Sequence, residues 1–468
     1  MSHEENIAVW PATRLAQAIR ATEISSRELL DVFLARIERL NPAINAVVTL
    51  DLDGARAAAV SADETTARGD ALGPLHGLPT TIKDAIEVGG MRSTGGAVEL
   101  RDHVPAADAP VIARLRAAGA IVVGKTNAPR WSGDLQTYNE IFGTTNNPWD
   151  TTRVPGGSSG GAAAAVACGL TSFEIGTDIA GSVRTPSHFC GVYGLKPSFG
   201  VVPQRGYLDH VGGGTTDADI NVFGPIARSP GDLELLLDVV AGAPPENIAG
   251  WHLDLPAPRY DDLGSLRIAV WFDQPSCPLD TEYRATLQGT VDQLADAGAK
   301  IDDAHPPIDF DEQFGVFMAM LTSAVSVSFD AELREAFGGS HYQWLVNDER
   351  RAALRRTWAE WFQDHDVLVC PVTPTPAFPH NQEGDFLSRT TLVNGEELPY
   401  ANNIKWAGVI GHAGLPSCVV PIGRTSAALP VGMQIVTPYL RDREAIRTAE
   451  LVRDILGGFQ PPPMALAP

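Results

Sequence analysis

Two serines in glycine-rich segments and one lysine upstream of them have the residue types and the spacing that catalysis needs. Residues 155–161 read Pro-Gly-Gly-Ser-Ser-Gly-Gly and include Ser158, and residues 176–184 read Gly-Thr-Asp-Ile-Ala-Gly-Ser-Val-Arg and include Ser182. Lys83 lies in a Thr-Ile-Lys-Asp segment. A serine hydroxyl attacks an amide or ester carbonyl only when a base removes its proton and donors stabilise the oxyanion. The pattern predicts a serine hydrolase whose base is a lysine instead of a histidine.

Lys83 can accept a proton only in its neutral form. Burial lowers the pKa of a lysine from about 10.4, and a fall to roughly 7 corresponds to about 4.6 kcal/mol. The apolar residues near it in the sequence are Leu78, Ile82, Ala85 and Ile86. The carboxylate of Asp84 would raise the pKa of the lysine if the two side chains met. Because side chains alternate along a strand, we expect Asp84 to point to the opposite face.

Alternating strand and helix patterns must position these segments, and they predict an α/β protein with a large mixed β-sheet covered by helices on both faces. Strands are predicted at residues 44–50, 77–88, 120–123, 171–175, 266–270, 300–302, 367–370, 417–421 and 432–436. Helices are predicted at residues 55–67, 109–118, 162–168, 283–297 and 443–456. A further amphipathic helix follows a capping box at Ser25 and is expected to end at Pro42.

No clean break in composition divides the chain, so residues 1–468 are predicted to form a single domain. Residues 244–263 are rich in proline and acidic residues and read as a surface connection. Residues 305–365 are mostly helical in pattern and carry many aromatic and methionine residues. Such a stripe is more typical of a core than of a pocket.

Composition restricts the class of protein. The chain has 57 acidic and 35 basic residues and a net charge of −22, which would repel phosphate backbones and anionic membrane surfaces. We therefore expect no nucleic acid and no membrane as partner. The five cysteines are scattered, which argues against a disulfide framework, and residues 1–20 lack the apolar core of a signal sequence. A cytoplasmic monomer or homodimer without metal or other cofactor is expected, since no His/Cys cluster has ligand spacing.

Two other motifs suggest different enzymes. Residues 119–126 fit the written form of a phosphate-binding loop, but the four residues between the glycines read as a buried strand. Residues 156–160 fit the nucleophile elbow of an α/β-hydrolase-like esterase, with Ser158 as nucleophile and His412 as base. That elbow needs a hydrophobic strand before it, whereas residues 146–155 are polar and contain two prolines. His412, His188 and His210 are expected to be structural. A non-enzymatic protein that kept the fold is the third alternative.

The combined pattern resembles the amidase signature family of serine hydrolases. The first serine follows the lysine by 75 residues, and the second serine follows after another 24. The similarity is strong over residues 70–210 and weaker over most of the chain. Further matching segments lie at residues 124–127, 147–150 and 189–197, and more faintly at residues 414–417 and 429–434.

The resemblance implies a triad in which Ser182 is the nucleophile, Ser158 relays the proton from within a cis peptide bond, and Lys83 is the base. The residues implied for the oxyanion hole are Ile179, Ala180, Gly181 and Ser182, through their backbone N–H groups. The supporting residues are Thr177, Asp178, Arg184 and Ser159. Many relatives carry glycine where this chain has Ala180, so we expect a negative φ there. Arg130 stands where relatives often carry an acid, and it changes the charge at the expected pocket mouth.

The resemblance also implies hydrolysis of a carbon–nitrogen bond through an acyl-enzyme. The family acts on aliphatic, aryl, fatty-acid and peptide amides, nylon oligomers and carbamates, and it includes the glutaminase subunit of the tRNA-dependent amidotransferase. The Tyr-Tyr and Ala-Glu-Ala-Ser-Ser-Asn pattern of that subunit is not recognisable in residues 311–337, which disfavours the aminotransfer role. The expected substrate-binding residues are Trp131, Gly133, Leu135, Tyr138, Phe317, Met318 and Met320. We predict a small-molecule substrate with a bulky amide, anilide or carbamate group.

Overall fold

The computed structural model describes residues 7–466, in which strands and helices alternate along the chain. The strands are β1 (Val47–Leu50), β2 (Pro79–Lys83), β3 (Ile121–Thr126), β4 (Tyr138–Asn139), β5 (Gly143–Thr144), β6 (Glu174–Asp178), β7 (Tyr193–Lys196), β8 (Val222–Ala227), β9 (Arg267–Val270), β10 (Lys300–Asp303), β11 (Val367–Pro371), β12 (Thr390–Val393), β13 (Glu396–Pro399), β14 (Ser417–Arg424) and β15 (Pro430–Val436). The α-helices are α1 (Ala12–Arg20), α2 (Ser26–Ile44), α3 (Leu52–Arg68), α4 (Pro110–Ala117), α5 (Gly160–Ala167), α6 (Arg184–Cys190), α7 (Pro230–Val240), α8 (Thr281–Asp296), α9 (Phe310–Val325), α10 (Ala331–Phe337), α11 (His341–Trp361), α12 (Lys405–His412), α13 (Asp442–Leu456) and α14 (Pro463–Leu466). None of the helices within residues 7–466 combines the length and the apolar character needed to cross a bilayer.

Eight strands form one mixed sheet in the order β10-β9-β11-β15-β14-β7-β8-β6. Strands β10, β9 and β11 run parallel, and every pairing from β11 to β6 is antiparallel. Strands β6, β7, β8, β11 and β15 are buried at every residue. Because successive side chains point to opposite faces, both faces of the sheet are covered. This confirms the predicted α/β class.

A second sheet of three strands brings the lysine segment to the edge of the large sheet. Its order is β1-β3-β2, with β2 parallel to β3. The backbone N–H of Thr81 donates to Thr171 Oγ1 (2.9 Å), and Thr80 Oγ1 donates to the carbonyl of Phe173 (2.8 Å). These bonds join β2 to the segment that enters β6. Lys83, the last residue of β2, therefore lies beside the edge strand β6.

Small residues allow helix α5 to lie against the three-stranded sheet that carries Lys83. All eight of its residues are buried. A Cβ atom on Gly161 would lie 2.5 Å from the backbone nitrogen of Asn127, and one on Gly160 would lie 2.3 Å from Thr137 Oγ1. Only glycine permits such close approach of two backbones. The turn before α5, which carries the first serine, is thereby held near the end of β3.

Helix α2 begins at the predicted capping box but does not end at Pro42 as predicted. It continues to Ile44, and Asn45 then terminates it in the left-handed conformation with φ 54°. The Asn41 side chain accepts a hydrogen bond from the backbone N–H of Ala46 (2.8 Å), which holds the chain between the helix end and β1. A proline is tolerated because it stands in the last turn, where little helix remains to be disrupted.

Other predicted elements differ in their bounds. The strand predicted at residues 77–88 is confined to β2, because a turn begins directly after Lys83. The strand predicted at residues 171–175 is shifted to β6, so the nucleophile segment starts after Asp178. The helical region at residues 310–361 is confirmed as α9, α10 and α11. The hairpin of β12 and β13 was not predicted.

Buried polar contacts join distant parts of the chain. Asp232 on α7 accepts hydrogen bonds from the N–H and the hydroxyl of Thr13, and Asp442 on α13 accepts two from Ser198. A buried polar group that lacks a partner would cost free energy, so these pairs fix how α1, α7 and α13 meet. The division of the chain into one domain stays a prediction.

Candidate active site

Lys83 and Ser158 are in direct contact in the interior. Lys83 Nζ lies 2.6 Å from Ser158 Oγ and 2.7 Å from Thr177 Oγ1, and the lysine side chain is fully buried. Burial lowers the pKa of Lys83 to about 7, although the charges of Asp178 and Glu174 act in the opposite direction. Near neutral pH a large share of the amine is therefore neutral and able to accept the Ser158 proton.

Asp84 points away from the lysine amine, as strand alternation predicted. Its carboxylate accepts hydrogen bonds from the backbone N–H (3.1 Å) and the hydroxyl of Thr94. Burial raises the pKa of Asp84, and the charge of Lys125 opposes this rise. The adjacent carboxylate is thus held by other partners and does not pair with Lys83.

The phosphate-loop alternative is wrong. Residues 121–126 form strand β3, and all of them are buried. Lys125 Nζ donates to the carbonyl of Ile86 and to Ser93 Oγ (3.0 Å) inside the protein. A phosphate-binding loop needs exposed backbone N–H groups at the start of a helix, and this segment offers none.

The turn that carries Ser158 is packed closely against its surroundings. The peptide bond between Gly157 and Ser158 is cis. A Cβ atom on Gly157 would lie 2.5 Å from the carbonyl oxygen of Asp134, so only glycine fits there. The backbone N–H of Ser159 donates to the carbonyl of Ser182 (3.1 Å). This bond holds the two serine segments side by side.

The nucleophile segment is organised around a buried ion pair. The Asp178 carboxylate accepts hydrogen bonds from the Arg184 guanidinium (2.8 and 3.0 Å) and from the backbone N–H groups of Gly181 and Val183 (2.8 and 3.0 Å). Both charged side chains are fully buried. Burial opposes ionisation of Asp178, but Arg184 and these N–H donors hold its pKa below the usual value. Ser182 follows directly in this loop and is 6% exposed.

The backbone N–H groups of this loop differ in whether they have a hydrogen-bond acceptor. Ala180 has a φ outside the left-handed region, as expected, whereas Gly181 has φ 108°. The Gly181 N–H is directed to Asp178, so we do not count it among the oxyanion donors that we propose below. Within residues 7–466, the N–H groups of Ile179, Ala180 and Ser182 have no hydrogen-bond acceptor.

Ser159 and Thr177 connect the two serine segments from the other side. The backbone N–H of Thr177 donates to Ser159 Oγ (3.3 Å), and Ser159 Oγ donates to the carbonyl of Thr177 (3.3 Å). A Cβ atom on Gly176 would lie 2.6 Å from Ser159 Oγ. The small side chains therefore hold the start of α5 against β6.

An apolar cluster, which we call the apolar wall, packs against Ile179 and Ala180. Its other buried members are Leu135, Val154, Phe189, Ile220, Phe317, Ala377, Phe378, Tyr400 and Ile404. Partly buried members are Phe314, Met318, Leu321 and Phe386. The wall lies beside the residues that precede Ser182.

The predicted substrate-binding residues are divided by the structure. Leu135, Phe317 and Met318 belong to the apolar wall. Met320 is fully buried but is not a member of the wall. Helical periodicity explains this difference. Phe317, Met318 and Leu321 follow Phe314 by three, four and seven residues and share one face of α9, whereas Met320 lies off that face. The same spacing could have identified Leu321 as a member of the apolar wall from the sequence.

Gly133 and Tyr138 line a separate groove of about 510 Å³ together with Arg130. Arg130 forms an ion pair with Glu99 (2.6 Å), which offsets its charge at this rim. Trp131 is 9% exposed, with φ 53°, and the Arg130 guanidinium lies 5.7 Å from its ring centroid. The three predicted residues Gly133, Tyr138 and Trp131 are not members of the apolar wall.

Sequence reasoning missed a buried ion pair between Asp134 and Arg389. Arg389 Nη1 donates to Asp134 Oδ2 (2.6 Å). The side chains of Arg389 and Asp134 are 4% and 9% exposed. Asp134 Oδ1 also accepts from the Tyr400 hydroxyl (2.8 Å), and Arg389 Nη2 donates to the Tyr138 hydroxyl (2.9 Å). The pair attaches the segment that carries Phe378 and Tyr400 to the loop that precedes the first serine.

The histidines do not support the esterase alternative. His188 Nδ1 accepts from the backbone N–H of Gly432 (2.6 Å), and burial lowers the pKa of His188 to about 4. Burial lowers the pKa of His412 to about 3, and its ring packs against Phe317. No strand precedes Ser158 in residues 154–157 of the described chain, so the nucleophile elbow does not form.

Known proteins resemble this chain over most of its length. The sequence model of the Amidase family matches residues 28–336 and 331–446. A glutamyl-tRNA(Gln) amidotransferase subunit of Roseiflexus sp. (strain RS-1) is 33% identical over 476 residues, which cover 93% of this chain and 94% of that protein. The structure of a bacterial aryl acylamidase of the amidase signature family matches with a TM-score of 0.82 and 25% identity, covering 95% and 96% of the two chains. A 6-aminohexanoate cyclic dimer hydrolase complexed with substrate matches with a TM-score of 0.81 and 26% identity, covering 98% and 99%.

The family model matches most of the sequence, and the structural similarity extends over nearly whole chains. Both findings lead to one assignment. The chain belongs to the Amidase family, whose members hydrolyse carbon–nitrogen bonds in amides.

Proposed function

We propose that this protein hydrolyses an uncharged amide, anilide or carbamate with an apolar acyl side, through an acyl-enzyme on Ser182. The observation that carries the proposal is the 2.6 Å contact between Lys83 Nζ and Ser158 Oγ in a fully buried setting. The bond between the Ser159 N–H and the Ser182 carbonyl supports it, because it holds the two serine segments together.

The first half-reaction that we propose uses these residues. Neutral Lys83 accepts the Ser158 proton while Ser158 Oγ accepts the proton of Ser182, and Ser182 Oγ attacks the substrate carbonyl carbon. The N–H groups of Ile179, Ala180 and Ser182 stabilise the oxyanion. When the carbon–nitrogen bond breaks, the proton held by Lys83 returns through Ser158 to the leaving nitrogen.

In the second half-reaction, water attacks the Ser182 ester and the same relay accepts its proton. The carbonyl–oxygen bond to Ser182 then breaks and the serine is protonated again. One water is consumed and one carboxylic acid and one amine are formed. For a carbamate cleaved at nitrogen, the acid is a carbonic monoester.

The apolar wall supports an apolar acyl group. Its aromatic members offer contact area to an aryl or alkyl chain, and burying that chain is favourable at about 25 cal/mol per Å². Arg389, which lies next to the wall, is already held by Asp134, by the Tyr138 hydroxyl and by the carbonyls of Glu383 and Gly384. It is therefore not available to bind the carboxylate of an amino-acid substrate.

A second candidate is the release of ammonia from glutamine as a subunit of an amidotransferase. The 33% identity to such a protein over 93% of the chain favours it. Glutamine carries a charged carboxylate and ammonium, and each would need a charged partner once removed from water. The apolar wall and the occupied Arg389 argue for the uncharged substrate.

The two candidates are separated by a direct assay. The purified protein is incubated with an acyl-anilide, an aryl carbamate, propionamide and L-glutamine, and the released amine or ammonia is measured as kcat/KM. We expect the anilide or the carbamate to exceed propionamide and glutamine by about tenfold or more, since each further buried methylene contributes about 0.8 kcal/mol. A preference for glutamine or for the smallest amide contradicts the proposal. Intact-protein mass spectrometry during turnover, with Ser182→Ala as the control, detects the acyl-enzyme.

A further inference from the structure

A cavity of about 630 Å³ lies apart from the active site and the apolar wall, between α11, the loop after α12 and the loop after β15. The residues of its lining that carry the argument are Arg259, Arg355, Arg441, Phe362, Leu415 and Tyr439. None of them belongs to the triad or to the apolar wall. The volume is in the range of small-molecule sites, which are about 300–1,000 Å³.

Three guanidinium groups face this cavity, and two of them have carboxylate partners. Arg259 donates to both oxygens of Glu444 (2.6 and 2.9 Å) and lies 3.5 Å from Asp366, and Arg441 also lies 3.5 Å from Glu444. Asp366 is shared with Arg267 at 2.9 Å. Glu444 and Asp366 are thus shared among Arg259, Arg441 and Arg267.

Arg355 is the lining arginine without a carboxylate partner. Its Nε donates to the carbonyl of Ala413 (3.2 Å), and its Nη1 and Nη2 have no acceptor within residues 7–466. Asp219 and Asp348 are already paired with Arg351. Fixing Nε in this way orients the planar guanidinium, whose remaining N–H groups match the two oxygens of a carboxylate.

Apart from Gln363, the other side chains of the lining are apolar or aromatic. Phe362 and Leu415 are buried side chains that form the floor, and they belong to the main hydrophobic core. Tyr439 is half-exposed at the rim, and its hydroxyl donates to the carbonyl of Phe199 (2.9 Å), which holds the ring in place. An inorganic anion would leave this apolar surface uncovered, whereas an aryl or alkyl chain would cover it.

We propose that this cavity is a second ligand site that binds an organic monoanion, an aryl- or alkyl-carboxylate. The carboxylate lies on Arg355, and the apolar body lies against Phe362 and Leu415. The proposal is independent of the reaction proposed for Ser182, because no residue of that site takes part in it.

Calorimetric titration at low salt tests this site with 4-phenylbutyrate and with its uncharged counterpart 4-phenylbutan-1-ol. We expect the acid to bind about tenfold or more tightly than the alcohol, because a hydrogen-bonded charge pair contributes more than a neutral contact. Arg355→Met keeps an apolar stem but removes the charge, and it is expected to weaken binding of the acid about tenfold or more. Arg355→Lys is expected to give an intermediate affinity.

Arg356→Met serves as the matched control, since Arg356 is the neighbour on the same helix and does not line the cavity. It is expected to leave the affinity unchanged. Unchanged affinity in Arg355→Met would place the probe elsewhere, including the active site, and would overturn the proposal. If Arg355→Met fails to fold, the acid–alcohol comparison decides, and equal affinities for the two probes overturn it as well.

Discussion

The side-chain nitrogen of Lys83 lies 2.6 Å from the hydroxyl oxygen of Ser158, and both side chains are fully buried. A lysine in this position is useful as a base only because burial disfavours its charged form. Under the reaction that we propose, the contact links the catalytic rate to the protonation state of one amine, and it makes the pH dependence of the reaction predictable.

We predict that kcat/KM for a neutral anilide rises with pH through a midpoint near 7, because burial lowers the pKa of Lys83 to about 7. Below the midpoint the protonated amine cannot accept a proton, and the rate falls about tenfold per pH unit. Rates measured from about pH 5 to about pH 9.5 check this. Burial also raises the pKa of Glu174 to about 7, so Glu174→Gln is the control and is expected to keep a rising profile. A flat profile, or one that falls with pH, contradicts the assignment of the base.

Ser182→Ala and Ser158→Ala are each predicted to lower kcat/KM by about 10³ or more, since removing one member of a catalytic triad abolishes most of its effect. Only Ser182→Ala also removes the attachment site of the acyl group, which mass spectrometry detects. Ser172→Ala is the control, because Ser172 is buried and its hydroxyl has no partner in the described part of the chain. Full activity in Ser182→Ala would exclude it as nucleophile.

Asp178→Asn is predicted to lower the free energy of unfolding by about 3–5 kcal/mol, because it leaves the buried Arg184 charge without its carboxylate. The activity falls as well, since the same carboxylate orders the loop around Ser182. Arg14→Gln breaks an exposed ion pair with Glu23 and is expected to cost less than about 1 kcal/mol. Urea unfolding compares the two variants, and equal losses would argue against a structural role of the buried pair.

Phe317→Ala is predicted to shift the substrate preference toward larger acyl groups, because it removes an aromatic ring from the apolar wall. It is also expected to cost about 3–5 kcal/mol of stability. Met320→Ala on the same helix costs about 2–5 kcal/mol but is expected to leave the preference unchanged, since Met320 is outside the wall. Ratios of kcat/KM for a homologous series of anilides measure the shift. A shift of the same size in both variants would mean that general loosening is the cause.

Arg389→Met is predicted to raise KM for a bulky anilide by about tenfold while kcat changes less, because the segment that carries Phe378 and Tyr400 loses its tie to Asp134. Arg389→Lys keeps the charge and is expected to restore part of the affinity. Steady-state kinetics with a bulky and a small amide separate the two effects. A loss confined to kcat would contradict a positioning role.

The contact between Lys83 and Ser158 was predictable because the signals in their segments are local. Glycines next to Ser158 and Ser182 mark close backbone approach, and the fixed distances between the segments identify the family. Asp84 has the orientation that strand alternation predicts, although it lies in the turn directly after β2. Such short-range patterns depend on neighbouring residues, so they are present in any fold that buries the segment.

The ion pair between Asp134 and Arg389 was not predicted, because it joins residues far apart in the chain. Asp134 and Arg389 are separated by 255 positions, and no pattern in one segment indicates the other. The Gly181 N–H points to a carboxylate three residues earlier, which only the loop geometry determines. Met320 was predicted as a substrate-binding residue from its residue type, and the phase of α9 places it outside the apolar wall.

The hydrogen bonds of Arg184 to residues outside its own loop have a consequence for when, during synthesis, the loop around Ser182 can become ordered. Its Nη1 donates to the carbonyl of Ala407 (2.9 Å) and to Gln434 Oε1 (3.0 Å), far downstream of the loop that it supports. A polypeptide emerging from the ribosome therefore carries Lys83 and both serines long before these anchors have been translated. We therefore expect a chain truncated ahead of Gln434 to keep Lys83 and both serines but to lose one of the acceptors that hold Arg184 in place.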